Sequence, residues 1–311
     1  MDEEQEDFVF EEAPYVLFRL RGPAGAPDVW RIAEDDRVYG QYPFCYVIQG
    51  EQAVVFIDTG TGTGNIFEFA RKGAPELFDN GRKILVACTH THYDHCGCNR
   101  FCCCPRPGGG AELAAFCTDI CVSAADPAFS EDAAAAGPSS VAPEDATSEG
   151  RRPGDKILKP YRISRWLRDG EELDLGAGRK LQALHCPGHT PDSMALYDAS
   201  SKSCFVGDTI YRWCPIFVSG PGADLRQLRA SLRRLSAALP ADARLRCGHL
   251  DPCLERGALD KLAGLCDRIL RGEAAGERVA AAGGSAPPTC VYSEPGDCPE
   301  YSILMEGQGA C

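Results

Sequence analysis

Four residues within six positions, His90, His92, Asp94 and His95 in "THTHYDH", supply imidazole nitrogen and carboxylate oxygen at a density that packing does not call for. Half of the chain's six histidines stand there. Zinc and similar borderline divalent metals favour this mixture of donors. His90 and His92 are one residue apart, so an extended segment leaving a strand can aim both rings at one point. Asp94 and His95 can face a second point close by. His189 and His249, in "PGHT" and "CGH", and Asp208, in "GDT", each follow a strand-like run and complete a candidate set of seven ligands. His185, two residues before Pro187, reads instead as a supporting or packing group.

The elements that must position this set are legible in outline. "YVLFRL", "VWRIAE", "CYVIQG" and "AVVFID" read as strands, the last two as a hairpin. A turn, "TGTGTGN", leads to a helix in "IFEFARKGAPELF" and to the strand "KILVAC", which delivers the histidine cluster. The glycines at 60, 62 and 64 form neither a dinucleotide fingerprint nor a P-loop, so they are read as turn residues. Further strands are expected on either side of Asp169-Gly170, before His185, in "SMALYD" and "SCFVGD", and in "RLRCGH". Leucines 225, 228, 232 and 235 form a helical stripe, and "LERGALDKLAGLCDRIL" is a second amphipathic helix.

Three segments fall outside this pattern. Residues 1–14 form an acidic lead, residues 123–160 an Ala/Pro/Ser-rich insertion expected to be disordered, and residues 273–311 a low-complexity tail. The body between, 15–272, reads as one domain.

A net charge of −13 over 311 residues disfavours polyanionic partners, so no nucleic acid is expected. No apolar run approaches a membrane span and no basic, apolar leader opens the chain, which gives a soluble, cytoplasmic expectation. Eighteen cysteines are then read as free thiols or metal ligands, not as a disulfide framework. The densest group, "CGCNRFCCCP", matches no paired C-x-x-C zinc site and is read as small thiols in a loop.

The ordered set "FIDTG", "THTHYDH", "PGHT", "GDT" and "CGH" resembles the metallo-β-lactamase-fold hydrolases from about Val47 to Leu270. The resemblance implies a four-layer αββα sandwich of the α/β class. It implies one metal held by His90, His92 and His189, a second held by Asp94, His95 and His249, Asp208 bridging them, and Asp58 bracing the loop from behind. Two divalent ions are implied, zinc first, with iron or manganese as alternatives. A shared hydroxide with a pKa near ~7 would attack a bound carbonyl. Asp94 is also a candidate proton acceptor, and Tyr211 a candidate oxyanion donor or simply a packed aromatic.

Zinc β-lactamases of the commonest class carry cysteine in place of Asp208 and arginine in place of His95, so the pattern is closer to thioesterases, glyoxalase II, lactonases and phosphodiesterases. "RISRWLRDGEELDLG" and the stretch after Asp208 resemble acyl-CoA thioesterases of this fold, with Arg162 and Arg168 near Trp166 as candidate phosphate contacts. A small-molecule thioester, preferably of a medium or long acyl-CoA, is the expected substrate, with "CPIFV" as a candidate wall. Glyoxalase II would bring a C-terminal helical glutathione clamp, for which "RGEAAGERVAAAGGSAPPTC" is too poor in large apolar residues. A nucleic-acid phosphodiesterase and a non-catalytic metal-binding scaffold are the readings from other classes. Oligomeric state is left open.

Overall fold

Apolar runs in the first half of the chain pair with their sequence neighbours, as short connections dictate. A computed structural model of the protein describes residues 6–22, 26–38, 40–78, 81–102, 117–136, 160–279, 289–295 and 299–306. An eight-stranded sheet runs in chain order through β1 (Glu6–Glu12), β2 (Tyr15–Leu20), β3 (Val29–Glu34), β4 (Phe44–Gln49), β5 (Ala53–Ile57), β6 (Lys83–Ala87), β7 (Asp119–Ser123) and β8 (Arg165–Leu167). Pairing is antiparallel from β1 to β5 and parallel from β5 to β8. Parallel neighbours require crossovers. Helix α1 (Ile66–Gly73) lies in the first, α2 (Tyr93–Cys96) follows β6, and α3 (Pro127–Ala136) stands between β7 and β8.

A second sheet joins β9 (Glu172–Asp174), β10 (Lys180–His185), β11 (Met194–Asp198) and β12 (Ser203–Gly207) to β14 (Arg244–Cys247) and β15 (Leu254–Glu255). Its helices are α4 (Leu225–Ala238) and α5 (Gly257–Leu270). A third, four-stranded sheet is made by β13 (Pro215–Val218), β16 (Gly276–Val279), β17 (Thr289–Ser293) and β18 (Ser302–Glu306).

The period of two along the strands sorts side chains into layers. Tyr46, Ile48, Val55 and Ile57 meet Leu181, Leu196 and Phe205 between the two large sheets. Their neighbours Val47, Val54 and Phe56 pack with Phe67 and Phe69 of α1. On the other side Ala195, Cys204 and Val206 pack beneath Leu228, Leu232 and Leu235 of α4 and Leu259 and Leu262 of α5. The result is the expected αββα sandwich, and the leucine stripe at 225, 228, 232 and 235 is buried as its spacing predicts. Asn65 and Asp224 cap α1 and α4 by accepting bonds from first-turn amides, as short polar side chains do at helix starts.

Several expectations change. The acidic lead is in part a strand: in β1, Phe8 packs edge-on against Phe18 and Phe10 against Phe69, while Glu6, Asp7 and Glu12 pair with Arg31, Arg21 and Lys72. Charged residues suit an edge strand. Residues 123–136 of the expected insertion are structured. Ser123 closes β7, and α3 follows, with Pro127 at its first position and an alanine run, both of which favour a helix. Residues 137–159 lie outside the described residues. The turn at Asp169-Gly170 carries the chain from one sheet to the other, since β8 pairs with β7 and β9 with β10.

The tail is not without structure: β16, β17 and β18 occupy part of it, and Tyr301 and Ile303 are buried against the α4–α5 layer. Among the described cysteines Cys290 is disulfide-bonded, against the free-thiol expectation, and thirteen are free. Cys96, Cys98 and Cys102 of the dense group are buried, and burial pushes the Cys98 thiol up to about 12. Cys103 and Cys104 lie outside the described residues. No helix among the described residues is long and apolar enough to cross a membrane.

Candidate metal centre

Strands β10, β12 and β14 release their chains at one rim of the sandwich, because β10 and β12 each run antiparallel to β11 and β14 runs parallel to β12, and the loop after β6 meets that rim through Met194 N to the Thr89 carbonyl at 2.8 Å. His90 and His92 follow β6, Asp94 and His95 lie on α2, His189 follows β10, Asp208 follows β12 and His249 follows β14. All seven sequence-derived candidates converge. Three groups have donor atoms within 4.8 Å of one another: His90, His92 and His189; His90, His95 and Asp208; and Asp94, His95 and His249. His92 Nδ1 and His189 Nε2 are 3.0 Å apart, and His95 Nε2 and His249 Nε2 are 3.3 Å apart.

Asp208 stands between the groups. Its Oδ1 is 3.3 Å from His95 Nε2 and 3.4 Å from His249 Nε2, while its Oδ2 is 3.7 Å from His189 Nε2. Asp94 Oδ2 is 3.4 Å from His249 Nε2. Yet Asp208 Oδ1 and His90 Nε2 are buried without a partner in hydrogen-bond geometry. Orphaned buried polar atoms cost about 1–3 kcal/mol each, so a ligand aimed at by both atoms would remove that cost. Nitrogen and carboxylate donors converging on two neighbouring points fit a pair of divalent ions.

The rings are fixed from behind, which leaves one nitrogen of each free to face inward. His95 Nδ1 meets Asp58 Oδ2 at 2.8 Å, His189 Nδ1 donates to the Phe217 carbonyl at 2.7 Å, and His249 Nδ1 donates to the Gln41 carbonyl at 2.8 Å. His90 Nδ1 lies 3.2 Å from Thr89 Oγ1. Asp58 also accepts from the Thr89 amide at 2.6 Å and the Thr89 hydroxyl at 2.7 Å, so it braces the loop as the resemblance implied. Its φ of +60°, uncommon for a residue with a side chain, turns the carboxylate into place at the end of β5.

Two motif glycines have steric reasons. A Cβ at Gly248 would meet Asp208 Oδ1 at 2.6 Å, and one at Gly207, whose φ is +51°, would meet Thr89 Oγ1 at 2.3 Å.

The electrostatics divide the site. Burial, then the neighbouring imidazoles, hold His92 down to about 3. Burial also opposes charge on His249, but Asp208 and Asp94 overcome it and raise the ring to about 10. His95 is raised in the same way by Asp208, Asp94 and Asp58 against the effect of its own burial. Burial thus disfavours charge on His92, whereas the carboxylates beside His95 and His249 favour it there.

Tyr211 packs its ring edge-on to His249 at 5.9 Å between centroids, and its hydroxyl donates to the Pro215 carbonyl at 3.4 Å. A role toward a substrate would require that bond to be given up. His185 stands apart from all three groups: its Nε2 meets the Leu167 carbonyl at 2.9 Å, which ties the two sheets together.

Sequence reading missed the residues that hold the loops. Asp192 Oδ2 accepts from Thr91 Oγ1 at 2.7 Å and Ser130 Oγ at 3.0 Å, and its Oδ1 accepts from Thr190 Oγ1 at 2.7 Å. Hydroxyls flanking histidines in "HTH" and "GHT" were the available signal. Glu34 accepts from the amide and hydroxyl of Thr61, both at 2.7 Å, and from Thr63, so the glycine-rich turn is folded around a carboxylate and not around a phosphate. That turn receives α2, through Thr59 N to the His95 carbonyl at 2.8 Å and Gly97 N to the Gly60 carbonyl at 2.8 Å.

A family profile described as the metallo-beta-lactamase superfamily matches residues 38–101 and 129–249. Among curated proteins, the chain is 28% identical over 200 residues to the acyl-coenzyme A thioesterase MBLAC2 of Gallus gallus, covering 61% of this chain and 65% of the relative. It is 37% identical over 91 residues to a hydroxyacylglutathione hydrolase of Aeromonas hydrophila, covering 29% of this chain and 33% of the relative. The match thus spans less than two thirds of the length of either. Among solved structures, a metallo-beta-lactamase family protein of Thermus thermophilus aligns with a TM-score of 0.55 at 21% identity, over 74% of this chain and 76% of that one. The MIM-2 metallo-beta-lactamase aligns with a TM-score of 0.51 at 18% identity, over 82% and 89%. These two alignments bear on the fold alone.

Proposed function

Because the chain belongs to the metallo-beta-lactamase superfamily, we propose that it is a dinuclear metal-dependent hydrolase that cleaves thioesters, with acyl-CoA as the substrate class. The observation that carries the dinuclear reading is Asp208, which turns one carboxylate oxygen to His95 and His249 and the other to His189. His90, His92 and His189 would hold one ion, Asp94, His95 and His249 the other, and Asp208 would touch both. Two bound divalent ions, zinc first, would supply Lewis-acid polarisation of the substrate carbonyl and of the attacking water.

The chain's own residues do the rest. Asp58, Phe217 and Gln41 hold the rings of His95, His189 and His249 at fixed angles, so the donor set is organised before any substrate arrives. Asp94, whose Oδ2 lies 3.4 Å from His249 Nε2, would accept the proton of the attacking water. Attack at the thioester carbon breaks the carbon–sulfur bond and gives a carboxylic acid and a thiol, a good leaving group that needs little assistance. Arg162 and Arg168 are exposed around the edge strand β8 and offer charge to CoA phosphates.

The likeness to a hydroxyacylglutathione hydrolase sustains a second reading. Against it, the described chain beyond α5 forms strands β16, β17 and β18, whereas a glutathione clamp of the glyoxalase II kind would be helical. The test is a substrate panel on purified protein whose metal content has been measured. About two divalent ions per chain and a higher kcat/KM on acyl-CoA than on S-lactoylglutathione are expected. A preference of about tenfold for the glutathione thioester, equivalent to ~1.4 kcal/mol in transition-state binding, would replace the first reading with the second.

A further inference from the structure

Six large apolar side chains are substantially exposed among the described residues, and four of them border the histidine loops. Tyr42, Trp213, Phe217 and Leu250 are 50%, 54%, 44% and 51% exposed; the other two are Phe8 and Val279. Tyr42 and Phe217 are linked to the centre by bonds to its histidines, and Leu250 and Trp213 by their place in the chain and a bond between their loops. Tyr42 follows Gln41, whose carbonyl takes His249 Nδ1, and precedes Phe44, whose amide donates to the Gly248 carbonyl at 2.7 Å. Leu250 directly follows His249. Phe217 itself supplies the carbonyl that holds His189. Trp213 follows Arg212, whose amide and guanidinium donate to Asp251 at 2.9 and 2.8 Å, so the two loops that carry Trp213 and Leu250 are joined.

The backbone shows that these exposures are enforced. Tyr42, Trp213 and Leu250 have φ of +49°, +70° and +60°. Bulky residues are rare in that region, and such strain persists where surrounding bonds over-determine it. At Trp213 the amide is held by the Glu300 carbonyl at 3.0 Å, and Phe217 lies on β13, which is paired along its length with β18. In β13 the flanking Ile216 and Val218 point into the core, so Phe217 takes the outward face. The nearby cation, Arg212, is neutralised by Asp251 and Glu300.

We infer that Tyr42, Trp213, Phe217 and Leu250 form an apolar lip around the metal centre that binds the alkyl chain of an acyl substrate, so that long acyl groups are selected over short ones. This rests on the thioesterase reading and adds to it the part of the substrate that is recognised. The occupant is apolar because the lip offers rings and a branched aliphatic side chain, and the cation over the Trp213 ring, Arg212, is already paired with Asp251 and Glu300. It belongs to the substrate because the lip is continuous with the loops that carry His189 and His249. Each methylene moved from water onto such a surface raises binding by up to about fourfold.

The test uses the zinc-loaded 311-residue chain and the variants Trp213→Asn and Leu250→Asn, singly and together. Asparagine tolerates the left-handed backbone and so keeps the loops folded. One readout is the ratio of kcat/KM for palmitoyl-CoA to that for acetyl-CoA. A second, independent of turnover, is calorimetric titration with dodecanoate. In the double variant the ratio and the dodecanoate affinity should both fall by about tenfold or more, while Phe8→Ser, at the distant edge of the large sheet, leaves both unchanged. Retention of ratio and affinity in the double variant overturns the inference. So does a dimer of the unaltered protein that the double variant converts to monomer with the ratio intact, because the lip would then belong to a second copy. If no thioester is cleaved yet dodecanoate binds and the double variant abolishes it, the lip stands and the thioesterase reading falls.

Discussion

The Thr91 hydroxyl donates to Asp192 Oδ2 at 2.7 Å across the interface of the two sheets, from the residue between His90 and His92 to a residue three beyond His189. With Thr190 on the other oxygen, Asp192 fastens both loops that supply the first trio of imidazoles. Asp192→Ala should weaken metal binding at His90, His92 and His189 by about 10- to 100-fold while the Asp94, His95 and His249 group is spared. Cobalt titration, read by absorption in competition with a chelator, separates the two. Equal weakening of both ions, tracking a lower melting temperature, would reduce Asp192 to general scaffolding.

Asp208 and His185 offer a contrast between two residues of ligand type. Asp208 touches both groups, whereas His185 is bonded to the Leu167 carbonyl. Asp208→Ala should nearly abolish hydrolysis and reduce bound metal, and His185→Ala should lower activity only modestly. Steady-state rates with metal analysis decide this, and the reverse ranking would mean that the site has been misassigned.

Protonation gives the metal-free chain a definite pH response. His249 is raised to about 10, so its contribution to stability is complete below its ordinary value and is lost as pH rises through about 10. His92 is depressed to about 3, so stability is lost as pH falls from its ordinary range toward about 3. Chelated protein should therefore melt highest near neutrality and lose melting temperature on both sides. Zinc must displace the proton of His249, so the loaded protein should lack the alkaline decline. Melting curves from about pH 5 to about pH 10, with and without chelator, check this; a chelated protein that gains stability toward alkaline pH would contradict it.

The metal-ligand candidates were legible because their signal is local. Metal ligands on loops that leave strands must cluster by residue type, and "THTHYDH" does so within a single turn of chain. The leucine stripe of α4 was legible for a similar reason, since a helix repeats its buried face every three or four residues. The carbonyls of Gln41 and Phe217 were not legible, because any residue carries a carbonyl and only the tertiary fold brings these two to His249 and His189. Helix α3 was hidden by its alanines, which composition alone assigns equally to a disordered stretch and to a helix. Strand β1 was hidden by its acids, whose partners Arg21, Arg31 and Lys72 are remote in the chain.

The parallel pairing of β13 with β18 sets an order of events during synthesis. All seven candidate ligands, through His249, leave the ribosome before the strand that secures the wall bearing Phe217. Pairing so distant in sequence closes a long loop and forms late. A nascent chain would thus possess a full set of donors while the carbonyl that orients His189 still lacked its backing, so a loosely held ion could be taken up first and clamped afterwards, as the last strand docks.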